Sequence, residues 1–319
     1  MGAMMMEPRT FPHEPVMVQE VLRALALKPG DCVVDGTLGL GGHSLHFVDA
    51  IRPGGTLLGL DWDESMLAVA RERIGSPKGV TVHFIHSDFR EMTMALQEYS
   101  IKPNGILLDL GLNSAQIEDP SRGITFRQNG PLDMRMDRTR GEPAAALLNR
   151  ISPQAIEDGL MEYGDERWAR AIAKKIVERR KDQPLRMTDD LVECVLAAIP
   201  VKARDKRIHP ATRTFQAVRI MANAELDGLG EALDDAARAL QPGGCLVVLS
   251  YHSGEDRIVK NVFSKLVEEG FHQVDKKPLA PSESEVRRNA RSRSAKLRAI
   301  IKTTDKESHH ERNSNYSSR

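Results

Sequence analysis

Short unbroken apolar runs alternate along this chain with stretches whose apolar residues recur every three or four positions. The runs are Cys32–Val34, Thr56–Leu60, Val80–His86 and Gly105–Leu108. The first, Cys32–Val34, is wholly apolar and reads as a buried parallel strand. Between the runs lie helical patterns at about Met17–Leu25, with Val18, Val21, Leu22 and Leu25 on one face, and at about Ser44–Ile51, Glu64–Ile74 and Met92–Tyr99. Strands alternating with helices at this pace predict a doubly wound parallel sheet. Each run ends at a polar or aromatic residue: Asp35, Asp61, Phe89 (after Ser87 and Asp88) and Asp109. Ligands of such sheets sit outside the carboxyl ends of the strands.

The rhythm then breaks. Residues 112–208 hold no convincing strand, and helical spacing appears at about 153–162, 166–181 and 188–198. The expected organisation is a first core part over 1–112, an inserted helical substrate-recognition domain over 113–208 and a second core part over 209–302. The second part holds helices at about 212–228, 231–240 and 255–268, strand Cys245–Ser250, and the last strands within 271–302. The polar segment 303–319 and the Met-rich start, Met1–Met6, read as disordered tails.

The first strand runs directly into Gly36, Gly39, Gly41 and Gly42, and then a helix. Glycine serves where the backbone takes φ > 0 or lies against a ligand. The helix that follows turns its N–H groups toward that ligand. Asp61 closes the next strand about 20 residues later, where an acid suits a ribose diol. The frame Gly39-Leu40-Gly41-Gly42-His43-Ser44 ends in serine, not in the third glycine of the strict dinucleotide fingerprint. That places S-adenosylmethionine ahead of NAD.

Composition adds limits. The chain has 319 residues, enough for one or two domains. Formal net charge is zero, so overall charge predicts no partner. Charge is nevertheless clustered. Ser284–Lys302 holds seven basic residues (Arg287, Arg288, Arg291, Arg293, Lys296, Arg298, Lys302) against Glu285, and Lys202, Arg204, Lys206, Arg207, His209 and Arg213 form a second group. Two such runs flanking a cofactor domain point to phosphate and hence to RNA or DNA. Cys32, Cys194 and Cys245 lie far apart without zinc spacing, which fits a reducing cytoplasm and no metal site. No apolar run reaches about 18 residues, so no membrane partner is expected. His252 precedes Ser253, Glu255 and Asp256, but a hydrolase is set aside because the chain lacks a G-x-S-x-G elbow.

Longer motifs carry a resemblance. Asp35-Gly-Thr-Leu-Gly-Leu-Gly-Gly-His-Ser44, Arg122-Gly-Ile-Thr-Phe126 and Gly130-Pro-Leu-Asp-Met-Arg-Met-Asp137 are three of them. The others are Pro210–Ile220 with Asn223-Ala-Glu-Leu226, His252-Ser253 with Glu255–Lys260, and Asn289–Arg298. Together these segments resemble the ribosomal RNA small subunit methyltransferase H group, also called MraW, over about His13–Lys302. The resemblance implies a class I (Rossmann-like) S-adenosylmethionine-dependent methyltransferase sheet with an inserted mainly helical domain. It implies cytoplasmic N4-methylation of a decoding-centre cytosine in 16S rRNA, with 16S rRNA or the small ribosomal subunit as partner. It places cofactor contacts on Gly41, Gly42, His43, Asp61, Phe89, Asp109 and Gln116. Asn113 stands where the family usually has serine, Tyr251 where it has phenylalanine and Gly254 where it has leucine.

A cytosine amine is a poor nucleophile because its lone pair is delocalised into the ring. Acceptors around it would favour a more tetrahedral nitrogen and take its developing charge. Asp109, Asn113 and Ser114, following the fourth strand, are the candidates, and His252 and Ser253 are second candidates. The competing readings are a methyltransferase for another nucleic acid and a non-catalytic RNA-binding assembly factor. The sequence leaves the oligomeric state open.

Overall fold

The computed structural model describes residues 14–304. The tails at Met1–Met6 and beyond Thr304 lie outside them, as does His13. In chain order the elements begin α1 Val18–Leu25, β1 Cys32–Asp35, α2 Gly42–Ile51, β2 Gly55–Asp61, α3 Glu64–Ile74, β3 Val80–His86, α4 Met92–Glu98 and β4 Gly105–Asp109. The helical stretch follows: α5 Ser114–Glu118, α6 Ala144–Arg150, α7 Pro153–Gly164, α8 Ala169–Asp182 and α9 Thr188–Ala198. The remainder is α10 Thr212–Asn223, α11 Leu229–Ala239, β5 Cys245–Ser250, α12 Ser253–Glu268, β6 His272–Gln273, α13 Glu283–Arg288 and β7 Lys296–Ile301.

The strands form one sheet in the order β3-β2-β1-β4-β5-β7-β6. β1 to β5 are parallel, and β7 runs antiparallel to both its neighbours. Chain order reverses between β1 and β4, the position at which α/β sheets open a crevice. Adjacent residues on a strand face opposite ways, so the sheet writes itself into two cores. Val33, Leu57, Leu107 and Val247 pack under α1, α2 and α3. Val34, Leu58, Ile106 and Leu246 pack under α4, α11 and α12. Burial on both faces is what makes β1, β2, β4 and β5 continuous apolar runs, whereas β3, at the sheet edge, is only half-buried and carries Thr81, His83 and His86.

A third core gathers apolar residues of α6 to α9, among them Leu148, Ile156, Ile172 and Leu191. It also takes in Ala211, Phe215, Ala217 and Val218, so this packing unit continues past the expected boundary at 208 into α10. α10 thus packs on α6 and α7 of the helical unit and also lines the cleft. Two glycines let the preceding loops cross: a Cβ on Gly123 would meet Pro131 O at 1.9 Å, and one on Gly130 would meet Pro120 O at 2.0 Å.

Four expectations need correction. α10 ends at Asn223, not near 228, because Ala224 takes a left-handed conformation (φ 48°) and caps it. α5 and α6, of 5 and 7 residues, were not expected. They are too short to show a helical period. The segment 271–302 supplies not only strands but α13 and a 3₁₀ turn, Ala290–Ser294.

Candidate active site

The turn after β1 is fixed by the sheet itself. Gly36 N donates to Leu107 O at 2.9 Å, and Leu38 N donates to Leu60 O at 2.8 Å. Ser44 Oγ donates to the buried Asp35 at 2.7 Å, locking the first turn of α2 onto the end of β1. The turn borders a cleft of about 480 Å³, of the size that takes a small cofactor or ligand. Gly42, His43, Asp61, Phe89, Asp109 and Gln116 all line this one cleft.

Asp61 holds the turn as well as facing the cleft. Its two carboxylate oxygens accept from Gly39 N at 2.6 Å and from Asp63 N at 2.8 Å. Each oxygen keeps a second lone pair, which suits the two hydroxyls of a ribose. Burial pushes its pKa up to about 7, against the pull of those backbone N–H groups.

Asp109 is fixed from three sides. Its N–H donates to Thr37 Oγ1 at 2.6 Å, Tyr251 Oη donates to its Oδ1 at 2.7 Å, and its Oδ2 lies 3.7 Å from His43 Nδ1. Burial raises its pKa to about 7. His43 Nε2 sits 2.9 Å from Val16 O, so it carries the proton and donates to that carbonyl. Burial lowers the His43 pKa, leaving the ring neutral with a bare Nδ1 toward Asp109.

Some candidates serve the scaffold. Gly41 is outside the cleft wall; it takes φ 74° as the cap of α2, and a Cβ there would meet Ile74 Cδ1 at 2.9 Å. Gln116 lines the cleft, but its amide donates to Asp63 at 2.9 Å and accepts from Asn113 N at 3.2 Å. Asn113 accepts from Gln116 N in return, capping α5. The side chain of Ser114 lies outside the described residues. Ser253 does not reach the cleft: its hydroxyl donates to Asp165 at 3.1 Å because it opens α12 on the side of the helical unit. His252 does line the cleft, yet its Nδ1 accepts from Glu255 N at 3.4 Å as the cap of α12.

Several residues at the cleft were not anticipated. Trp62 follows Asp61, lines the cleft and carries the Arg90 guanidinium 5.7 Å from its ring centroid. Arg219 and Glu225 form a two-bonded pair at 2.8 and 2.7 Å beside the buried Glu255. Asp63 is held below the usual carboxylate range: burial would raise it, but hydrogen bonds from Ser65 and Gln116 and the charge of Arg122 win. Arg122 Nη1 lies 2.7 Å from it, both side chains buried, which ties the crossing loops to the cofactor end. Arg122 with Asp63 and Arg90 with Trp62 join residues far apart in sequence, so no local signal marks them.

The C-terminal basic run is largely paired within the protein. Arg288 pairs with Glu14, Arg291 with Glu118, Arg287 with Glu283, and Lys296 and Arg298 both with Asp256. Lys302 donates to the Leu240 carbonyl at 2.8 Å. Arg287 and Arg288 stay exposed in these pairs, and Arg293 has no carboxylate partner among the described residues. Among the described residues no His, Cys, Asp or Glu group could hold a metal, and no helix is long and apolar enough to cross a membrane.

The cleft has two chemical ends. At one, Gly39 exposes backbone, Trp62 offers a flat face and two carboxyls stand apart, which suits an adenosine with a cationic tail. At the other, Phe126, Phe215, Arg219 and His252 close around a second space. Comparison with known proteins agrees. The MraW methylase family model matches residues 10–303. Ribosomal RNA small subunit methyltransferase H of Pelobacter propionicus is 43% identical over 310 residues, covering 92% of this chain and 99% of that protein. Its counterparts from Symbiobacterium thermophilum and Heliobacterium mobile are 41% and 43% identical, each over 92% of this chain and over 97% and 99% of their own. The chain belongs to the MraW methylase family, and its cleft fits that family's methyl donor, S-adenosylmethionine.

Proposed function

We propose that this chain transfers a methyl group from S-adenosylmethionine to the exocyclic N4 of a decoding-centre cytosine in small-subunit 16S rRNA. It would do so in the cytoplasm, on the rRNA or on the small ribosomal subunit. The observation that carries this reading is the single cleft lined by Asp61, Asp109, Phe126, Phe215 and His252 together.

The bound cofactor supplies an electrophilic methyl group on a cationic sulfur. Asp61 would hold the sugar hydroxyls, and Trp62 and Phe89 would offer apolar surface to the base. Fixing both partners in one cleft turns a bimolecular reaction into a positioned one. The acceptor nitrogen forms its bond to the methyl carbon as the carbon–sulfur bond breaks, and it then gives up one proton. Asp109 Oδ2, with Oδ1 already taken by Tyr251, is the acceptor for that proton. Its raised pKa, about 7, suits a group that must accept a proton near neutral pH. Neutral His43 beside it adds no competing positive charge. The target base must leave its stack to enter the second space.

Mass-spectrometric mapping of 16S rRNA from cells lacking the gene tests the reading. One cytosine should lose one methyl group on N4, and purified protein should restore it. A full set of methyl groups in that rRNA would overturn the assignment.

A further inference from the structure

A second cavity of about 150 Å³ opens on the far side of α10 from the cleft. Arg167, Trp168, Arg204, His209 and Arg213 line it. The two carboxylates in its wall are each engaged by backbone: Glu166 accepts from Trp168 N at 2.9 Å and Asp205 from Arg207 N at 2.6 Å. The three arginines use only part of their donor sets, on the carbonyls of Ala203, Leu196, Ile199 and Asp165. His209 Nδ1 accepts from Ala211 N at 3.2 Å, so in the neutral ring Nε2 bears the proton. The indole N–H of Trp168 is buried with no partner. A buried unpaired donor is costly, and a ligand acceptor would relieve that cost. Donors therefore exceed acceptors around this cavity, and an anion is the complement.

Two stacked rings stand between the cavity and the active-site cleft. Phe126 lines the cleft, His209 lines the cavity, and their centroids lie 4.5 Å apart at 23°. Lys202, Lys206 and Arg207 stand exposed on the same short segment. Unlike Arg287, Arg288, Arg291 and Arg298 of the C-terminal run, Lys206 and Arg207 have no carboxylate pairing with their side chains among the described residues.

We propose that this cavity and its basic rim form an RNA subsite, which takes a backbone phosphate of a nucleotide flanking the methylated base. The strand leaves the cleft over the Phe126–His209 ledge and passes between Lys206, Arg207 and the Trp168 N–H. This rests on the RNA substrate proposed above, and it assigns the strand's path to the α8–α10 side instead of the C-terminal basic run.

The test is anisotropy binding of a labelled single-stranded RNA of about 15 nucleotides, the span of a typical single-strand site, titrated across salt. The Lys206→Gln/Arg207→Gln double variant should bind about 10-fold more weakly and lose roughly 1.4 from the salt slope, at about 0.7 per phosphate contact. Trp168→Phe keeps a ring but removes the N–H, and should weaken binding about 5-fold with the slope intact. Arg287→Gln, already paired with Glu283, should match wild type. Wild-type affinity and slope in the double variant, or wild-type affinity in Trp168→Phe, overturns the subsite. Methyl transfer by the wild-type protein to 16S rRNA lacking the mark is run in parallel. Its success alongside unaltered variants sinks only the subsite, whereas its failure sinks the substrate reading.

Discussion

Tyr251 Oη donates a 2.7 Å hydrogen bond to Asp109 Oδ1 across 142 residues of sequence. The bond leaves Oδ2 as the only carboxylate oxygen free to meet a substrate, on the side of His43. It also opposes the effect of burial, since a donor to the carboxylate favours the ionised form. The phenol itself is held protonated by burial and by the neighbouring Asp109 charge.

Removing that hydroxyl should change rate and pH profile together. If Asp109 must be ionised, turnover rises with pH through about 7 in the wild-type enzyme. In Tyr251→Phe the Asp109 pKa climbs further, so the acid limb should move to higher pH. Turnover near neutrality should fall about 10-fold, the worth of one hydrogen bond to a charged group. Cofactor affinity should stay close to wild type. Single-turnover rates over a pH series check this, and an unmoved acid limb would remove Asp109 from the proton path.

Asp61 predicts a linkage between pH and cofactor. Its folded pKa, about 7, lies above the ordinary value. A raised pKa means that its contribution favours the folded cofactor-free protein at low pH and is lost as pH rises through about 7. Ribose hydroxyls donating to the carboxylate would lower that pKa. Cofactor binding near pH 7 should therefore release protons, and affinity should rise with pH through that range. Calorimetry in buffers of different ionisation enthalpy reads the release directly. Asp61→Ala should abolish it and weaken binding about 100-fold, since two charge-assisted bonds are lost. Proton uptake instead of release would contradict the assignment.

Much of this site was legible in the sequence, and the reason is the sheet. A strand buried on both faces is an apolar run, so the residue at which it stops is conspicuous. Asp61 and Asp109 stand at such stops and meet in one cleft, and β3 and α3 have the bounds the pattern predicts. Glycines were legible as a class but not by role. Gly39 opens backbone to the cleft, whereas Gly41 makes room for Ile74. Long-range pairing was not legible at all. A run of seven basic residues shows only Glu285 beside it in sequence, yet Glu14, Glu118 and Asp256 arrive from elsewhere in the chain to pair with it.

The crossing loops predict a mutation that acts at a distance. Gly130 is not at positive φ, so its constraint is purely steric: a Cβ would lie 2.0 Å from the Pro120 carbonyl oxygen. Backbone cannot give way as a side-chain tip can. Gly130→Ala should cost about 2–4 kcal/mol, the upper range for overpacking. The same crossing seats Arg122 against Asp63, so cofactor binding should weaken as well. Denaturant melts and cofactor titration would show both losses. A variant with wild-type stability would mean that the loops part without penalty.

His252 offers a choice between two roles that one pair of variants separates. Its ring lines the cleft, which is why it ranks as a candidate, but its Nδ1 accepts from Glu255 N as the cap of α12. Glu255 answers by accepting from Tyr251 N at 2.8 Å and His252 N at 3.3 Å. The arrangement ties the start of α12 to the residue that holds Asp109. Asparagine is among the best capping residues and alanine among the worst, a difference of about 1 kcal/mol. If capping is the whole role, His252→Asn should keep turnover within about 3-fold, while His252→Ala loses that 1 kcal/mol of stability and some turnover through a displaced Tyr251. If the imidazole acts on substrate, both variants should lose turnover equally and by at least about 100-fold, as for a missing acid–base group. The geometry favours the first outcome, because Nδ1 is committed to the helix and Nε2 faces the buried Glu255 carboxylate at 3.1 Å. Turnover and thermal melts on the two variants decide it.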